Sequence, residues 1–487
     1  MPCFATRRRL RAALAIGSSL GICCGMFIAA PAAADDWPTG AGGNPARNCQ
    51  SGEFGPLSGS ILWQGSRSSV IAQQAVIEGD LLVAPRMFSI TDTLNGTLIV
   101  AHDLFTGAER WAIGLPIDFA ATDWRSRVSA IRDNQVYATR AGNTNLSYLY
   151  ALSPTDGSVI WRSIALVDEA TTESLAFTTE GDIIAGNFNS VLRIRRADGT
   201  TAWTTPRTCP TSNGCQAAVF GDAVYIWEAT AQGPRVTRFD ANTGARMHST
   251  PGIGGGFAQQ LGVFVGPDGT VYAPRTQNNV NTDFLVAYTD TGAAFVEKWR
   301  VPIGYVPFGT FGVGPDGSVY NYLTTMTTIE IQRLDPNTGL QVDTSGPLPA
   351  NFPAQPRMAV DRCGRVYFTN GGFSAGRLYA FNADLSVRWS TPVTNVNVGG
   401  PALGPNGVLV VCGVGTDLRA YRTNQPGDLN CDGAVNNFDI DPFVLAVTDA
   451  AAYGAAFPNC NVELADLNCD GAVNNFDIDP FVAVLVE

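Results

Sequence analysis

The sequence predicts an all-β chain: an eight-bladed β-propeller whose N-terminal strand closes the last blade, followed by a small α-helical calcium-loop domain at the C-terminus. Three observations carry this. A turn-and-strand unit recurs through residues 35–422. Each copy is followed by a second unit that ends in a turn and usually an aromatic. Residues 428–487 then contain one acidic segment written twice.

The first unit is clearest as Gly266-Pro-Asp-Gly-Thr-Val-Tyr272, Gly314-Pro-Asp-Gly-Ser-Val-Tyr320, Asp361-Arg-Cys-Gly-Arg-Val-Tyr367 and Gly404-Pro-Asn-Gly-Val-Leu-Val410. Looser forms start near Glu78, Asp133, Glu180 and Gly221. Proline presets such a turn and glycine supplies the positive φ that reverses the chain between strands. The second unit is clearest as Ala101-His-Asp103-Leu-Phe-Thr-Gly107-Ala-Glu-Arg-Trp111, and other copies run to Trp161, Trp203, Trp299 and Trp389. Segments 239–244 and 334–339 are versions without the tryptophan.

Two hairpins per repeat make a four-stranded sheet, which is one blade. The eighth repeat has its first unit at 404–410 and a strand near 418–421, but no tryptophan strand after it. The orphan segment Ser60-Ile-Leu-Trp63-Gln supplies one from the other end of the chain and leaves no open sheet edge. Trp63, Trp111, Trp161, Trp203, Trp299 and Trp389 are read as inter-blade packing groups, each ring docked on a neighbouring turn.

Arg7, Arg8, Arg9 and Arg11 precede an apolar run from Ala12 to Ala30, and Ala32-Ala33-Ala34 offers a cleavage site. Residues 1–34 are therefore expected to be a secretory signal peptide. Removing them takes away four arginines and no acids, which moves the formal charge from −12 to −16. An acidic surface repels phosphate backbones, so nucleic acid is not an expected partner. No later stretch is long and apolar enough to span a membrane. Export permits disulfides, and Cys209 with Cys215, flanking a short turn, is the expected pair. Partners for Cys49, Cys363, Cys412, Cys431, Cys460 and Cys469 stay open at this stage.

The doubled segment is Asp428-Leu-Asn430-Cys-Asp432-Gly433-Ala434-Val-Asn436-Asn-Phe-Asp439, returning as Asp466-Leu-Asn468-Cys-Asp470-Gly471-Ala472-Val-Asn474-Asn-Phe-Asp477. Side-chain oxygens fall at positions 1, 3, 5, 9 and 12 with glycine at 6, the spacing of an EF-hand calcium loop. Two calcium ions are expected. Asp428, Asn430, Asp432 and Asp439 would hold one, with the Ala434 carbonyl and Asn436 through water. Asp466, Asn468, Asp470, Asp477, Ala472 and Asn474 would hold the other. Paired loops ending in Asp, with Asn at 3 and 9 and no helix before the first, resemble dockerin type I repeats. The resemblance covers 428–485 and implies a calcium-folded module that plugs a secreted protein into a cohesin-like partner or the cell surface. After each loop the apolar spacing from Phe438 to Val447 and from Phe476 to Leu485 fits a short helix, with Pro442 and Pro480 in its first turn. The two helices are expected to bury their faces only on each other.

The Ala-x-Asp-x-x-x-Gly-x-x-x-Trp pattern at 101–111, together with Trp37-Pro-x-x-x-Gly-Gly-Asn-Pro-Ala-Arg47, resembles the PQQ-like β-propeller repeat family. That family contains quinoprotein alcohol dehydrogenases and also cofactor-free assembly scaffolds. The enzymes stack their cofactor on a ring closed by two adjacent cysteines. No adjacent pair lies beyond residue 34, so PQQ is not expected here. There is no Gly-x-Ser-x-Gly elbow, phosphate loop or His-x-x-x-His pair. His102 and His248 are read as solvated strand positions, and Lys298, the only lysine, as a surface residue. No catalytic residue can be named.

The resulting domain reading is a signal peptide at 1–34, a propeller at 35–422, a linker at 423–427 and a dockerin-like domain at 428–487. The expected function is that of a secreted, non-catalytic binding or scaffold protein, its propeller ligand unknown. The alternative is a dockerin-targeted carbohydrate-active enzyme, which a pair of carboxylates in the propeller funnel would mark.

Overall fold

Eight sheets arranged as blades account for residues 61–421 in the computed structural model of the chain. The structure describes residues 36–486 apart from 66–68, 71, 89–95, 120–124, 141–145, 169–174, 209–215, 254–261, 276–282, 351–354, 371–374 and 397. The expected signal peptide and the Cys209–Cys215 pair lie outside the described residues.

Blades 1 to 7 run in chain order over 76–113, 126–167, 176–206, 218–249, 264–302, 312–344 and 357–393, each an antiparallel meander. Blade 6 carries one extra short strand, Leu348–Pro349. Blade 8 is composite, as the repeats require. Its first three strands are Ala402–Gly404, Val408–Cys412 and Leu418–Tyr421, and its outer strand is Ile61–Gln64 from the N-terminal side. That outer strand is fixed in register by Trp63 opposite Ala420. First strands of successive blades touch, and they are almost wholly buried, whereas fourth strands alternate buried and exposed. The first strand of each blade is therefore innermost.

The tryptophans set the spacing between blades. Indole Nε1 of Trp63, Trp111, Trp161, Trp203 and Trp299 donates to the carbonyls of Leu104, Pro154, Arg196, Ala241 and Pro336 in the next blade, at 2.7, 2.7, 2.8, 2.9 and 2.9 Å. Each ring then lies flat on a glycine of that turn. Gly244 has φ +72°, and a Cβ there would sit 2.5 Å from the Trp203 ring. Glycine is thus required twice, once for the left-handed backbone and once for the close approach. Trp389 makes the same contact with the N-terminal segment, donating to Pro56 O at 3.2 Å.

Residues 36–53 occupy the middle of the ring. Trp37 exchanges backbone hydrogen bonds with Ile77 of blade 1, and Pro38 O accepts from Ile131 of blade 2. Pro45 O, Ala46 O, Asn48 O and Cys49 O accept from Val219, Val265, Val313 and Val360 of blades 4, 5, 6 and 7. One segment thereby satisfies polar groups on the innermost strands of six blades.

The C-terminal region holds three short helices, α1 (Ile440–Thr448), α2 (Ala450–Ala456) and α3 (Ile478–Val486). Phe443 of α1 and Phe481 of α3 stack with centroids 4.0 Å apart. The expectation that these two helices bury their faces only on each other is corrected by the structure. The same core includes Tyr453 of α2, Leu464 and Leu467, together with Phe54, Leu57 and Cys363 from the propeller. Two short amphipathic helices cannot close a core alone, and the third helix and blade 7 complete it. A Cys363–Cys469 disulfide and an Arg388–Glu463 ion pair tie the region to the same blade.

Trp161→Ala is expected to destabilise the protein by about 3–5 kcal/mol, because a buried indole is lost without collapse of the seam. Trp161→Phe keeps most of the ring and leaves only the Arg196 carbonyl unpaired, a cost of about 1 kcal/mol. Denaturant midpoints of the two variants give the comparison. Equal losses would remove the hydrogen bond from the account of the seam.

Candidate metal centre

Both acidic loops are folded by their own backbone. In the first, Asp439 Oδ1 accepts from Leu429 and Asn430 N–H at 2.8 and 3.0 Å, and its Oδ2 accepts from Asn436 N–H at 2.9 Å. In the second, Asp477 repeats this with Leu467, Asn468 and Asn474 at 2.9, 3.1 and 2.9 Å. Position 12 thus pins positions 2, 3 and 9 of its own loop. Asn436 and Asn474 cap the next turn through Phe438 and Phe476 N–H, both at 2.8 Å. Gly433 and Gly471, with φ +97° and +83°, make the bend at position 6 and point at open space.

Asn430 and Asp432 are joined by a 3.0 Å amide–carboxylate contact, matched by Asn468 and Asp470 at 3.1 Å. The Ala434 and Ala472 carbonyls accept from Asn436 and Asn474 Nδ2 at 3.5 and 3.1 Å. Asp428 and Asp466, at position 1, accept from Gly433 and Gly471 N–H at 3.0 and 3.1 Å through Oδ2. Their other oxygens differ. Asp428 Oδ1 accepts from Asp432 N–H at 3.1 Å, while Asp466 Oδ1 is buried and has no hydrogen-bond partner.

Electrostatics single out the same two residues. Burial and the neighbouring Asp439 and Asp432 push the Asp428 carboxyl above its ordinary value of 3.8. Burial with Asp477 and Asp470 does the same for Asp466. Among the described residues no three His, Cys, Asp or Glu side chains converge closely enough by themselves to hold a metal ion. Each loop instead offers three carboxylates spaced by amide and carbonyl oxygens. Such an all-oxygen set of mixed charge is of the kind that suits calcium, and the buried Asp466 oxygen carries an unmet polar demand. All twelve residues named from the spacing lie in these two loops.

A cysteine at position 4 anchors each loop. Cys431 pairs with Cys460 inside the tail, and Cys469 pairs with Cys363 of blade 7. Cys49 and Cys412 are buried thiols, pushed up by burial to about 11 and about 12. They are not adjacent in the chain and close no ring on which PQQ could stack.

Against the central segment lies a cavity of about 20 Å³, lined by Arg47, Gln216, Thr310 and Arg357 with glycines and phenylalanines. None of its lining residues is a carboxylate.

The two histidines are not solvated strand positions, which corrects the expectation for both. His102 is buried, with Nδ1 3.1 Å from Gly107 O. His248 stands opposite Arg238, in the register position where Trp111 stands opposite Ala101. Its Nε2 lies 2.8 Å from Asp290 Oδ1 across the seam to blade 5. Asp290 also accepts from Tyr225 at 2.8 Å and Arg238 at 3.2 Å. Burial raises the Asp290 carboxyl, but these donors and the Gly292 N–H hold it below its ordinary value overall. The signal for this cluster is in the sequence, as the missing tryptophan four residues after Gly244.

Asp466→Asn removes a crowded charge. Sign follows from the raised carboxyl: Asp466 adds stability below about pH 4 and loses it as pH rises through its elevated folded value. In chelator at neutral pH the variant's tail is therefore expected to melt above the parent's, and in millimolar calcium below it. Melting followed at the tail tests this, and the same order in both buffers would refute the cation site.

A family described as outer membrane protein assembly factor BamB matches residues 145–293. No curated protein sequence matches the chain. Among solved structures, a quinohemoprotein alcohol dehydrogenase from Comamonas testosteroni is 13% identical over 78% of this chain and 77% of its own, with a TM-score of 0.55. BamB from Moraxella catarrhalis is 16% identical over 64% of this chain and 82% of its own, with a TM-score of 0.41. A europium-containing methanol dehydrogenase is 12% identical over 78% and 90%, with a TM-score of 0.43. At these identities the likeness extends to the PQQ-like propeller fold alone, a fold shared by dehydrogenases and by BamB.

Proposed function

We propose that this chain is an extracytoplasmic binding or scaffold protein, attached through a calcium-folded tail of dockerin type. The buried, unpartnered Asp466 Oδ1 inside a duplicated all-oxygen loop is the observation that carries the reading. Two calcium ions would sit among the side chains at positions 1, 3, 5 and 12 and the Ala434 and Ala472 carbonyls. Calcium would supply the positive charge that lets Asp428 and Asp466 ionise beside their neighbours, and so would couple metal binding to tail folding.

Attachment is supported by the two faces of the tail. Phe438 and Phe476, 38 residues apart in equivalent positions, are 71% and 70% exposed, with Ile440 and Val444 and their counterparts Ile478 and Val482 beside them. Exposed apolar sets of this kind mark protein contacts. A cohesin-like partner is the proposed occupant. Disulfides tying the tail to itself and to blade 7 suit an oxidising compartment. No helix among the described residues is long and apolar enough to cross a membrane.

Calcium titration of the full chain by calorimetry is expected to give about two sites, and Asp432→Ala to remove one. A stoichiometry of zero would end the calcium reading. A cohesin domain should bind in calcium, release in chelator and fail against a Phe438→Asp/Phe476→Asp double variant. Binding that ignores calcium or both substitutions would refute the docking reading while leaving the titration to stand.

A further inference from the structure

In blades 1 to 7 the third and fourth strands are joined by a turn of four to six residues. Blade 8 has no such turn. Its place is taken by two stretches from opposite ends of the propeller chain, 54–60 entering the fourth strand and 422–427 leaving the third. Together they imitate what a turn offers the neighbouring tryptophan. Pro56 O accepts from Trp389 Nε1, and a Cβ on Gly59 would stand 3.1 Å from the same ring. Hydrogen bonds tie the stretches to each other: Leu57 N–H donates to Thr423 Oγ1 at 2.9 Å, and Arg422 N–H to Ser60 O at 3.1 Å.

The tail sits at this break. It continues from the 422–427 stretch, and its core takes Phe54 and Leu57 from the other. A turn of blade 7 grips that second stretch as well. Asp361 Oδ2 accepts from Gly55 N–H at 3.0 Å, Arg362 N–H donates to Glu53 O at 2.9 Å, and the Arg362 guanidinium lies 4.7 Å from the Phe54 ring centre. The same turn carries Cys363, bonded to Cys469 of the tail, and Arg388, next to Trp389, pairs with Glu463. Phe54 is thus buried where the blade 7 turn and the tail core meet.

A strand joined by a short turn returns to its partner at little entropic cost, whereas one arriving from the far end of the chain has no such tether. An outer strand of that kind opens locally unless something holds its ends. We propose that the tail is a clasp for the ring: by enclosing Phe54 and Leu57 it holds strand Ile61–Gln64 in blade 8 in place of the missing turn, and calcium in the tail loops controls that hold. The calcium control rests on the calcium reading above; the clasp itself rests on the shared core. When the tail core loosens, strand Ile61–Gln64 leaves the blade 8 edge and takes Trp63 from its seam with blade 1, while the other blades stay folded.

Hydrogen–deuterium exchange of the full chain, read peptide by peptide, tests this. In millimolar calcium, residues 58–65 are expected to be protected. In chelator their exchange should rise by about tenfold or more together with that of tail helices α1 and α3, while blade 3 strands 190–194 and 201–206 keep their protection. Phe443→Ala/Phe481→Ala, which touches neither strand Ile61–Gln64 nor the loop oxygens, should release 58–65 even in calcium. Loosened helices beside an unchanged 58–65, in either experiment, would overturn the clasp, and so would equal loss of protection in blade 3. Helices that stay protected in chelator would overturn the calcium control and the calcium reading beneath it, and the double variant would then decide the clasp alone.

Discussion

An indole lying flat on a glycine of the next blade is the contact on which the ring depends. It fixes a distance, because nothing larger than a hydrogen atom fits between ring and backbone, and a direction, because the indole N–H must find the turn carbonyl. Five repeats pair Trp with Gly in this way, and Trp63 uses it to bring the N-terminal strand onto blade 1 as a member of blade 8. The two exceptions keep the register and change the chemistry. His248 faces Arg238 and bonds to Asp290 across the seam to blade 5, while Asp343 pairs with Arg333 at 2.8 Å within its own blade.

The tail has its own internal symmetry, set by two copies of one loop. Backbone hydrogen bonds from positions 2, 3 and 9 converge on Asp439 and Asp477, which gives both loops nearly the same curvature before any cation is considered. The one asymmetry, the missing Asp466 Oδ1 partner, lies in the loop whose cysteine is tied to blade 7. The loop fixed to the propeller is thus also the one with an unmet polar demand.

The blade count and the composite eighth blade were legible because their signals are local: turn residues and a fixed offset from Gly to Trp. What could not be read depends on distance along the chain. Nothing near Cys363 says that it meets Cys469, and nothing in the alanine-rich 450–456 stretch says that Tyr453 will donate to Leu429 O and fill the tail core. The histidines were misread because short strands with alternating exposure look alike whether the neighbouring blade is close or far. His248 needed comparison with the other repeats, in which its register position holds tryptophan. Trp37-Pro38 signalled the repeat family without revealing that residues 36–53 leave the surface for the centre of the ring.

That central segment has a consequence for the order of events in folding. It is made before any blade, yet its hydrogen-bonding partners lie on Ile77, Ile131, Val219, Val265, Val313 and Val360, spread over most of the chain. Contacts of such sequence separation form late and slowly, since the loop entropy between them must be met first. The earliest propeller residues are therefore the last to be satisfied, and they stay available until blade 7 exists. A chain built this way has no finished ring while it is still emerging, which keeps it threadable until its length is nearly complete.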